Sequence, residues 1–538
     1  MTRDTLIHNA DIHTMDPARA RATWVLIHSG VIAAIGSGAP PDATNRINAA
    51  GRLLLPGFQD AHTHLLNGGV DLVETAYLYD CKTLGDISRV IMAHAATQPG
   101  PMIWGAGWQS GFFGDHNLTR AMLDAVVPDR PCLIYDSSGH NACVNSAVLQ
   151  IAGVTRDTPD PPNGHYVRDA AGEATGMLHE DVIYWIINRL PKTPHATFTA
   201  GLQAGQAHAN ALGITGIIDP SVKAEHALHY GEAALAGTLT LRVAGAMYVS
   251  ASDPVDATVA RLCGWRAAHH SRDFHLNAAK VFMDDVLENR TAAMLEPYAD
   301  PAGGNAPVMF DPDQVKALFT ALDRERFQIH AHCIGDAATR VTLDGIAAAR
   351  RANGYWPALH QIAHCQVTHP ADLPRFAALG VMANLQPLWA ANDPVIPDAT
   401  MAMIGPDRAR WTYACRSLID AGAAWCINSD WSVTTLNPFE IIGTAVTREP
   451  PRRRGRAAPF FPEQRMTVAE AVLGYTRNAA AACWRSGYTG QLSPGYSADM
   501  ILLDRDITTC DPYAIAETTV LLTLYQGREV HRAAEFVA

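Results

Sequence analysis

Several apolar runs of the sequence end in histidine, lysine or aspartate residues of the kinds that do chemistry. His62 and His64 stand two residues apart in the segment Asp60-Ala61-His62-Thr63-His64. Other runs contain or end in Lys280, His330, His332, His364 and Asp430. Imidazole nitrogens and carboxylate oxygens are ligands that suit Zn²⁺ or a similar divalent ion. These residue types therefore predict a metal site.

The spacing shows how these side chains could share one or two ions. Residues two apart in a strand point to the same face, so His62 and His64 can hold one ion together. His332 and His364, on adjacent strands, could bind a second ion or complete the first. Asp430 could be a ligand that also accepts a proton from metal-bound water. Two ions about 3.5–4 Å apart would share a hydroxide. That hydroxide can form near neutral pH because metal binding lowers the pKa of water to about 7.

Lys280 needs a further chemical step before it could hold a metal, because an ammonium group is not a ligand. Reaction with CO₂ would convert it to a carbamate whose two oxygens can bridge two cations. Three of the candidate residues also have a purely structural alternative. Lys280 could pair with Asp284 or Asp285, His364 could be a hydrogen-bonded core histidine, and Asp430 could cap a helix.

The elements that must position these residues follow an alternating pattern. Alanine-rich helical stretches separate short apolar runs, and this alternation predicts a parallel sheet closed as a (β/α)8, or TIM, barrel of the α/β class. The predicted strands are Leu53–His64, Ile214–Asp219, Leu241–Val249, Ala278–Asp284, Phe327–Cys333, His360–Gln366, Gly380–Gln386 and Ala424–Asp430. The candidate residues lie near the carboxyl ends of these strands, where barrel enzymes carry their active sites.

Both ends of the chain carry short strand candidates instead. We predict that residues 1–57 and 490–538 form one small composite β-sandwich domain, and that residues 58–489 form the barrel. The interval 66–212 is too long for a single loop, so it predicts an inserted lobe after the first barrel strand.

Composition narrows the classes of function. The chain has 538 residues and a net charge of −12, which argues against binding nucleic acid. No uninterrupted apolar run of about 18 residues occurs, so we expect no membrane partner. The ten cysteines are scattered without a CxxC pair, which suits a reducing, cytoplasmic location. A small-molecule substrate is the expected partner, and assembly into a homo-oligomer is left open.

The sequence around the candidate residues resembles the metal-dependent amidohydrolase superfamily. The segment Leu55–Leu65 (LPGFQDAHTHL) is similar to the PGFxDxHxH opening of that superfamily. Other segments resemble the amidohydrolase family 3 branch, which includes N-substituted formamide deformylases. These segments are Ala279–Asp284 with Asn289–Ala292, His330–Asp336, Ile362–Gln366, Asn428–Val433, and Gly139–Asn141 with Val144–Ser146.

This resemblance implies a barrel with a small β-domain from both termini, zinc, and a role for each matched residue. It implies Asp430 as metal ligand and general base, and Lys280 as a carbamylated bridge between ions. It places His332 rather than His330 at the ligand position, although strand alternation lets either face inward. The implied metal ligands are His62, His64, Lys280, His332, His364 and Asp430.

The resemblance also implies a reaction. We expect a zinc-dependent amidohydrolase, with one or two Zn²⁺ ions, that cleaves a carbon–nitrogen bond other than a peptide bond. The expected substrate is a linear amide, an N-substituted formamide or a carbamate with a hydrophobic or aryl group, attacked by metal-bound hydroxide. Alternatives are a deaminase or cyclic-amide hydrolase on the same scaffold, or a non-catalytic regulatory relative.

Further residues are candidates for contacts with the substrate. His140 could stabilise an oxyanion in a catalytic role, or could order a loop. Arg290 could bind a carboxylate or carbonyl, or could form an internal salt bridge. Aromatic residues that could line an apolar pocket or the barrel mouth, or pack in the core, are Trp104, Trp108, Trp389 and Trp431.

Overall fold

The computed structural model describes residues 4–108, 117–136, 141–161, 164–288, 290–391, 397–451 and 455–536. The strands are, in chain order, β1 Thr5–His13, β2 Arg21–His28, β3 Val31–Gly36, β4 Asn45–Asn48, β5 Leu53–Pro56, β6 Phe58–Asp60, β7 Thr75–Tyr77, β8 Ile103–Trp108, β9 Cys132–Asp136, β10 Asn141–Val144, β11 Gly164–Arg168, β12 Ala174–Glu180, β13 Ile214–Val222, β14 Arg242–Val249, β15 Phe274–Phe282, β16 Gln328–Cys333, β17 Gln361–His364, β18 Met382–Leu385, β19 Ala424–Ile427, β20 Met500–Leu503, β21 Val520–Tyr525 and β22 Arg528–Arg532.

The α-helices are, in the same order, α1 Leu65–Glu74, α2 Leu84–Thr97, α3 Arg120–Val126, α4 Ser146–Ala152, α5 Asp181–Ile187, α6 His195–Ala211, α7 Ala224–Ala236, α8 Val255–Ala268, α9 Pro312–Arg324, α10 Asp336–Asn353, α11 Leu373–Leu379, α12 Pro397–Ile404, α13 Pro406–Ala409, α14 Cys415–Asp420, α15 Pro438–Thr447, α16 Val468–Tyr475 and α17 Arg477–Ala482.

Eight parallel strands form the sheet that carries the candidate residues. Their order is β6-β13-β14-β15-β16-β17-β18-β19, and helices connect successive strands from β13 onwards. The two end strands meet where the Ala61 N–H donates to the Ile427 carbonyl at 3.2 Å and the Asp430 N–H donates to the His62 carbonyl at 2.9 Å. The residues of β16, β17 and β18 are all buried, as expected for strands covered on both faces. The predicted α/β barrel is confirmed.

The first predicted barrel strand, Leu53–His64, divides into two strands at Gly57. The Gly57 N–H donates to the Asp499 carbonyl, next to β20, and the following N–H, of Phe58, donates to the Gly213 carbonyl, next to β13; both distances are 3.0 Å. A Cβ at Gly57 would lie 2.3 Å from Thr215 Oγ1. A glycine is therefore required where the chain leaves one sheet for the other.

Strands from both ends of the chain share one mixed sheet. Its order is β22-β21-β20-β5-β1-β2-β3, with β4 paired to β1. Strand β20 runs antiparallel to β5, with Ile501 opposite Leu55. The buried Arg242 of β14 connects this sheet to the barrel, because its guanidinium pairs with Asp499 and donates to Ser497 Oγ at 2.8 Å. The predicted limits of this domain, 1–57 and 490–538, stay a prediction.

The segment Leu66–Gly205 forms a compact unit of its own. Its six-stranded sheet has the order β11-β12-β10-β9-β8-β7. Helix α2 begins in a capping box, where the Thr83 hydroxyl accepts from the Asp86 N–H and the Asp86 carboxylate accepts from the Thr83 N–H. No helix in the described ranges of the chain combines the length and apolar character needed to cross a bilayer.

Candidate metal centre

The barrel places most of the candidate residues together at the carboxyl ends of its strands. Lys280 lies on β15 directly opposite His330 on β16, and Phe282 lies opposite His332. His364 is the last residue of β17 and pairs in register with Cys333. The parallel register carries all of these side chains to the same rim of the barrel.

His62, His64 and Asp430 form one half of the cluster. The Nε2 atoms of His62 and His64 each lie 3.4 Å from Asp430 Oδ1. One potential ligand atom from each of the three residues lies within 4.8 Å of the others. The hydrogen bond from the Asp430 N–H to the His62 carbonyl fixes the segment after β19 against the segment after β6. Residues from the first and last strands of the barrel are thereby held in one site.

His332, His364 and Lys280 form the other half. The rings of His332 and His364 are 4.3 Å apart between centroids, and His364 Nδ1 is 3.9 Å from Asp430 Oδ2. The Lys280 side chain is buried, with its ammonium 4.4 Å from the centre of the Phe282 ring. Asp430 therefore adjoins histidines of both halves.

Three buried polar atoms of the cluster have no hydrogen-bond partner among the residues that the structure describes. They are His332 Nε2, His364 Nε2 and Asp430 Oδ1. Gln386 Oε1 accepts a hydrogen bond from His364 Nδ1, which leaves a lone pair on Nε2. Unpaired buried polar atoms are costly and uncommon in folded proteins. Nitrogen and oxygen atoms left unpaired in this way fit a divalent cation.

Burial sets the protonation states of the histidines in the cluster. It lowers the pKa of His62 and of His332 well below the usual value, and the neighbouring charge of Lys280 acts in the same direction. Burial also lowers the pKa of His364 to about 4, although Asp430 opposes this shift. Neutral imidazoles are the form that binds metals.

The pKa values of Asp430 and Lys280 shift in directions that favour the binding of a cation at neutral pH. Burial acts to raise the pKa of Asp430, but the His64 imidazole 3.4 Å away and the charge of His364 outweigh burial, so the pKa is lowered. Burial lowers the pKa of Lys280 to about 8, with Asp430 acting in the opposite direction. The site therefore holds a carboxylate and an amine that loses its proton easily.

Sequence reasoning left several residues of this centre without a role. Asp60 Oδ1 accepts from the His62 N–H at 3.1 Å and from the Ser429 N–H at 3.2 Å, and burial raises its pKa to about 7. His330 Nε2 lies 2.8 Å from His62 Nδ1. Asp60 is the first residue of the DxHxH motif, and this position was the sequence signal that it belongs to the centre.

Asp284 is a second buried carboxylate beside the cluster. It accepts backbone N–H groups of Ala293 at 3.0 Å, Ile334 at 2.9 Å and Gly335 at 2.7 Å. Its Oδ1 lies 4.0 Å from His332 Nε2. Asp284 thus joins the loop after β15 to the loop after β16, and it does not pair with Lys280 in any ion pair of the described residues.

The other predicted contact residues lie in different surroundings. His140 falls outside the described residues. The Arg290 guanidinium pairs with Asp300 and donates to the Gly303 carbonyl at 2.8 Å, which is the internal salt bridge named as its alternative. A contact of Arg290 with substrate stays a prediction.

The four tryptophans divide between the lobe and the barrel rim. Trp104 packs against the apolar core of the lobe, and Trp108 is fully buried there, with its Nε1 donating to Asn117 Oδ1 at 2.9 Å. Trp389 follows β18 and packs against a small apolar cluster. Trp431 follows Asp430 directly, and its carbonyl accepts from the His64 N–H at 2.5 Å. Their contacts with substrate stay predictions.

Comparison with known proteins supports the fold and identifies the family. Residues 46–531 match the amidohydrolase family, and the chain belongs to that family. Protein LONG AFTER FAR-RED 3 of Arabidopsis thaliana is 27% identical over 97% of this chain and 91% of its own. The N-substituted formamide deformylase of Arthrobacter pascens is 28% identical over 98% of both.

A solved structure shows the same fold. An uncharacterized metal-dependent hydrolase from Pyrococcus horikoshii superimposes with a TM-score of 0.78 at 21% identity, over 95% of this chain and 99% of that one. The resemblance to amidohydrolases seen in the sequence motifs is thus confirmed for family and for fold.

Proposed function

We propose that this protein is a zinc-dependent hydrolase of a carbon–nitrogen bond other than a peptide bond. The proposed substrate is a linear amide, an N-substituted formamide or a carbamate with a hydrophobic or aryl group. The observation that carries the proposal is the buried cluster in which histidines from β16 and β17 meet His62, His64 and Asp430, with ligand atoms left unpaired. Membership of the amidohydrolase family and the deformylase relative support it.

The residues that would hold zinc follow from the two halves of the cluster. His62, His64 and Asp430 would hold one ion, and His332 and His364 a second ion, with carbamylated Lys280 between them. Zn²⁺ bound there would polarise a carbonyl group and lower the pKa of water to about 7. The neutral imidazoles offer lone pairs without first releasing protons at neutral pH.

Asp430 would transfer a proton from water to the departing amine. Its lowered pKa keeps it a carboxylate at neutral pH, so it can accept a proton from water at Oδ1. The same carboxyl group would then return that proton to the departing amine. The backbone hydrogen bond to the His62 carbonyl fixes the position of Asp430 during both transfers.

The surroundings of the centre favour an apolar substituent on the substrate. Trp431 adjoins Asp430 in the chain, and its ring lies 5.4 Å from that of His208. Trp389 follows Gln386, the partner of His364. Aromatic side chains near convergent polar groups are typical of sites for aryl or aliphatic ligands.

A hydrolysis screen on protein of measured zinc content tests the proposal. N-formyl, N-acyl and carbamate derivatives of aryl amines are offered, and the released amine and acid are measured. Release of ammonia from an amino-heterocycle, or opening of a cyclic amide, would favour the alternative reactions instead. No turnover of any of these compounds by zinc-loaded protein would contradict the proposed function.

The variant Asp430→Asn tests the role of the carboxylate. Its side chain keeps nearly the same shape but cannot take up the proton, so we expect a rate loss of about 10²- to 10⁴-fold. Glu440→Gln, a neutralised carboxylate on α15, is the control for a general loss of charge. A full rate in the Asp430→Asn variant would contradict the proposed proton transfer.

A further inference from the structure

His330 is a fully buried histidine that the proposed metal centre does not use as a ligand. It lies on β16, two residues before His332 and directly opposite Lys280. Its Nε2 is 2.8 Å from His62 Nδ1, and the two ring centres are 4.9 Å apart. Its other nitrogen, Nδ1, has no hydrogen-bond partner in the described part of the chain. The one side-chain hydrogen bond of this imidazole that the structure shows is therefore the bond to His62.

The two nitrogens of His62 face different groups. Its Nε2 points to Asp430 Oδ1 at 3.4 Å, in the half of the cluster that also contains His64. Its Nδ1 points to His330. A neutral imidazole carries one proton, so His62 can offer a lone pair at Nε2 only when its proton is on Nδ1.

We propose that His330 is a positioning residue for His62. Its Nε2 accepts the hydrogen bond from the Nδ1–H of His62, which orients that ring and leaves the Nε2 lone pair free for a divalent cation. With the opposite proton arrangement, His62 would carry its proton on Nε2, aim it at Asp430 and present no lone pair. This inference rests on the proposed metal centre and adds a residue that supports it.

General metal-site chemistry explains why such a partner matters. A metal-binding histidine donates its second N–H to a carboxylate, a backbone carbonyl or water in most proteins, and loss of that acceptor weakens the site. In this chain a second imidazole takes the place of that acceptor. The unpartnered nitrogen of the buried His330 ring destabilises the fold, and the contact that orients His62 explains why a histidine stands at this position.

A pair of variants of similar volume separates the hydrogen bond from simple packing. His330→Gln keeps a hydrogen-bond acceptor in its amide oxygen, whereas His330→Leu removes the acceptor. Zinc affinity is measured by competition with a chromophoric chelator, without reference to activity. We expect His330→Leu to bind Zn²⁺ about 10- to 100-fold more weakly than the wild type, and His330→Gln to retain most of the affinity.

Two further measurements identify the cause of any loss. Thermal unfolding of chelator-treated protein should show His330→Leu close to the wild type in stability, because the variant removes the unpartnered His330 Nδ1 but leaves His62 Nδ1 without its acceptor. His369→Leu, which removes a partly exposed histidine paired with Arg340, should leave the zinc affinity unchanged.

The outcomes are distinct. Unchanged zinc affinity in His330→Leu, an equal loss in His330→Gln, or a large loss of stability in His330→Leu would each overturn the assignment of His330. A wild-type protein that fails to bind Zn²⁺ would overturn the proposed metal centre and this inference together.

Discussion

At the scale of single residues, burial changes the protonation of Lys280. It lies inside the barrel near Phe282, and burial lowers the pKa of its ammonium to about 8. Near neutral pH a part of the protein molecules therefore carries Lys280 as the neutral amine, which is the form that reacts with CO₂. The proposed bridging carbamate requires this neutral amine.

We predict that Lys280→Met reduces the zinc content from two ions per chain to one and lowers the rate of hydrolysis by at least about tenfold. The physical reason is that methionine fills the same space but supplies no bridging oxygens. Metal analysis and the hydrolysis assay measure both effects. Lys316→Met, on the exposed face of α9, should change neither. Two zinc ions retained in Lys280→Met would show that the bridge does not form.

At the scale of secondary-structure elements, the backbone passes from the mixed sheet to the barrel at Gly57. A side chain there would meet Thr215 Oγ1 at 2.3 Å, while backbone hydrogen bonds on either side direct the chain to Asp499 and then to Gly213. We predict that Gly57→Ala lowers the free energy of unfolding by about 1–3 kcal/mol, as overpacking commonly does.

Chemical denaturation of Gly57→Ala and of a matched glycine variant measures this effect. Gly264 lies within helix α8 with open space around its Cβ position. Gly264→Ala should raise the free energy of unfolding by about 0.5–1 kcal/mol, because alanine favours a helix. Equal stability of wild type and Gly57→Ala would refute the steric argument.

The same elements show what the sequence could and could not predict. The alternation of strands and helices, and ligand-type residues at strand ends such as His364 and Asp430, are local patterns, so the barrel fold and the gathering of these side chains at its rim were predictable. The division at Gly57 depends on partners far away in the sequence, such as Gly213 and Asp499, and no local pattern contains them. The same holds for His330, because strand alternation points it inward but does not reveal that it contacts His62.

At the scale of the whole molecule, the buried centre couples folding to pH. The folded state lowers the pKa values of four site histidines below 6.5, to about 4 for His364. The unfolded chain then binds more protons below pH 6.5, so the stability from these groups is complete above that pH and is lost as the pH falls. Between the unfolded and folded pKa values, each histidine contributes a slope of about 1.4 kcal/mol per pH unit. The four histidines are His62, His330, His332 and His364.

Two buried carboxyl groups act in the opposite direction. Burial raises the pKa of Asp60 to about 7 and that of Asp284 to about 8. The folded state therefore binds more protons than the unfolded chain at these two sites between about pH 4 and 7, so acid favours folding there. The four histidines lower the stability in acid and the two carboxyl groups raise it, so the net effect of these six groups is a loss of stability in acid.

We predict that the unfolding free energy of chelator-treated protein falls as the pH is lowered from 7 to 5, and that His364→Leu shows a shallower fall because one titrating group is gone. Saturating Zn²⁺ at 100 times its Kd should add about 2.7 kcal/mol at pH 7 and less at pH 5, since protons compete for the imidazoles. Thermal and urea unfolding across this pH range, with and without Zn²⁺, measure both effects. A pH-independent stability of the metal-free protein would show that the histidines are not held neutral by burial, and the cluster would then lack the lone pairs that a cation needs.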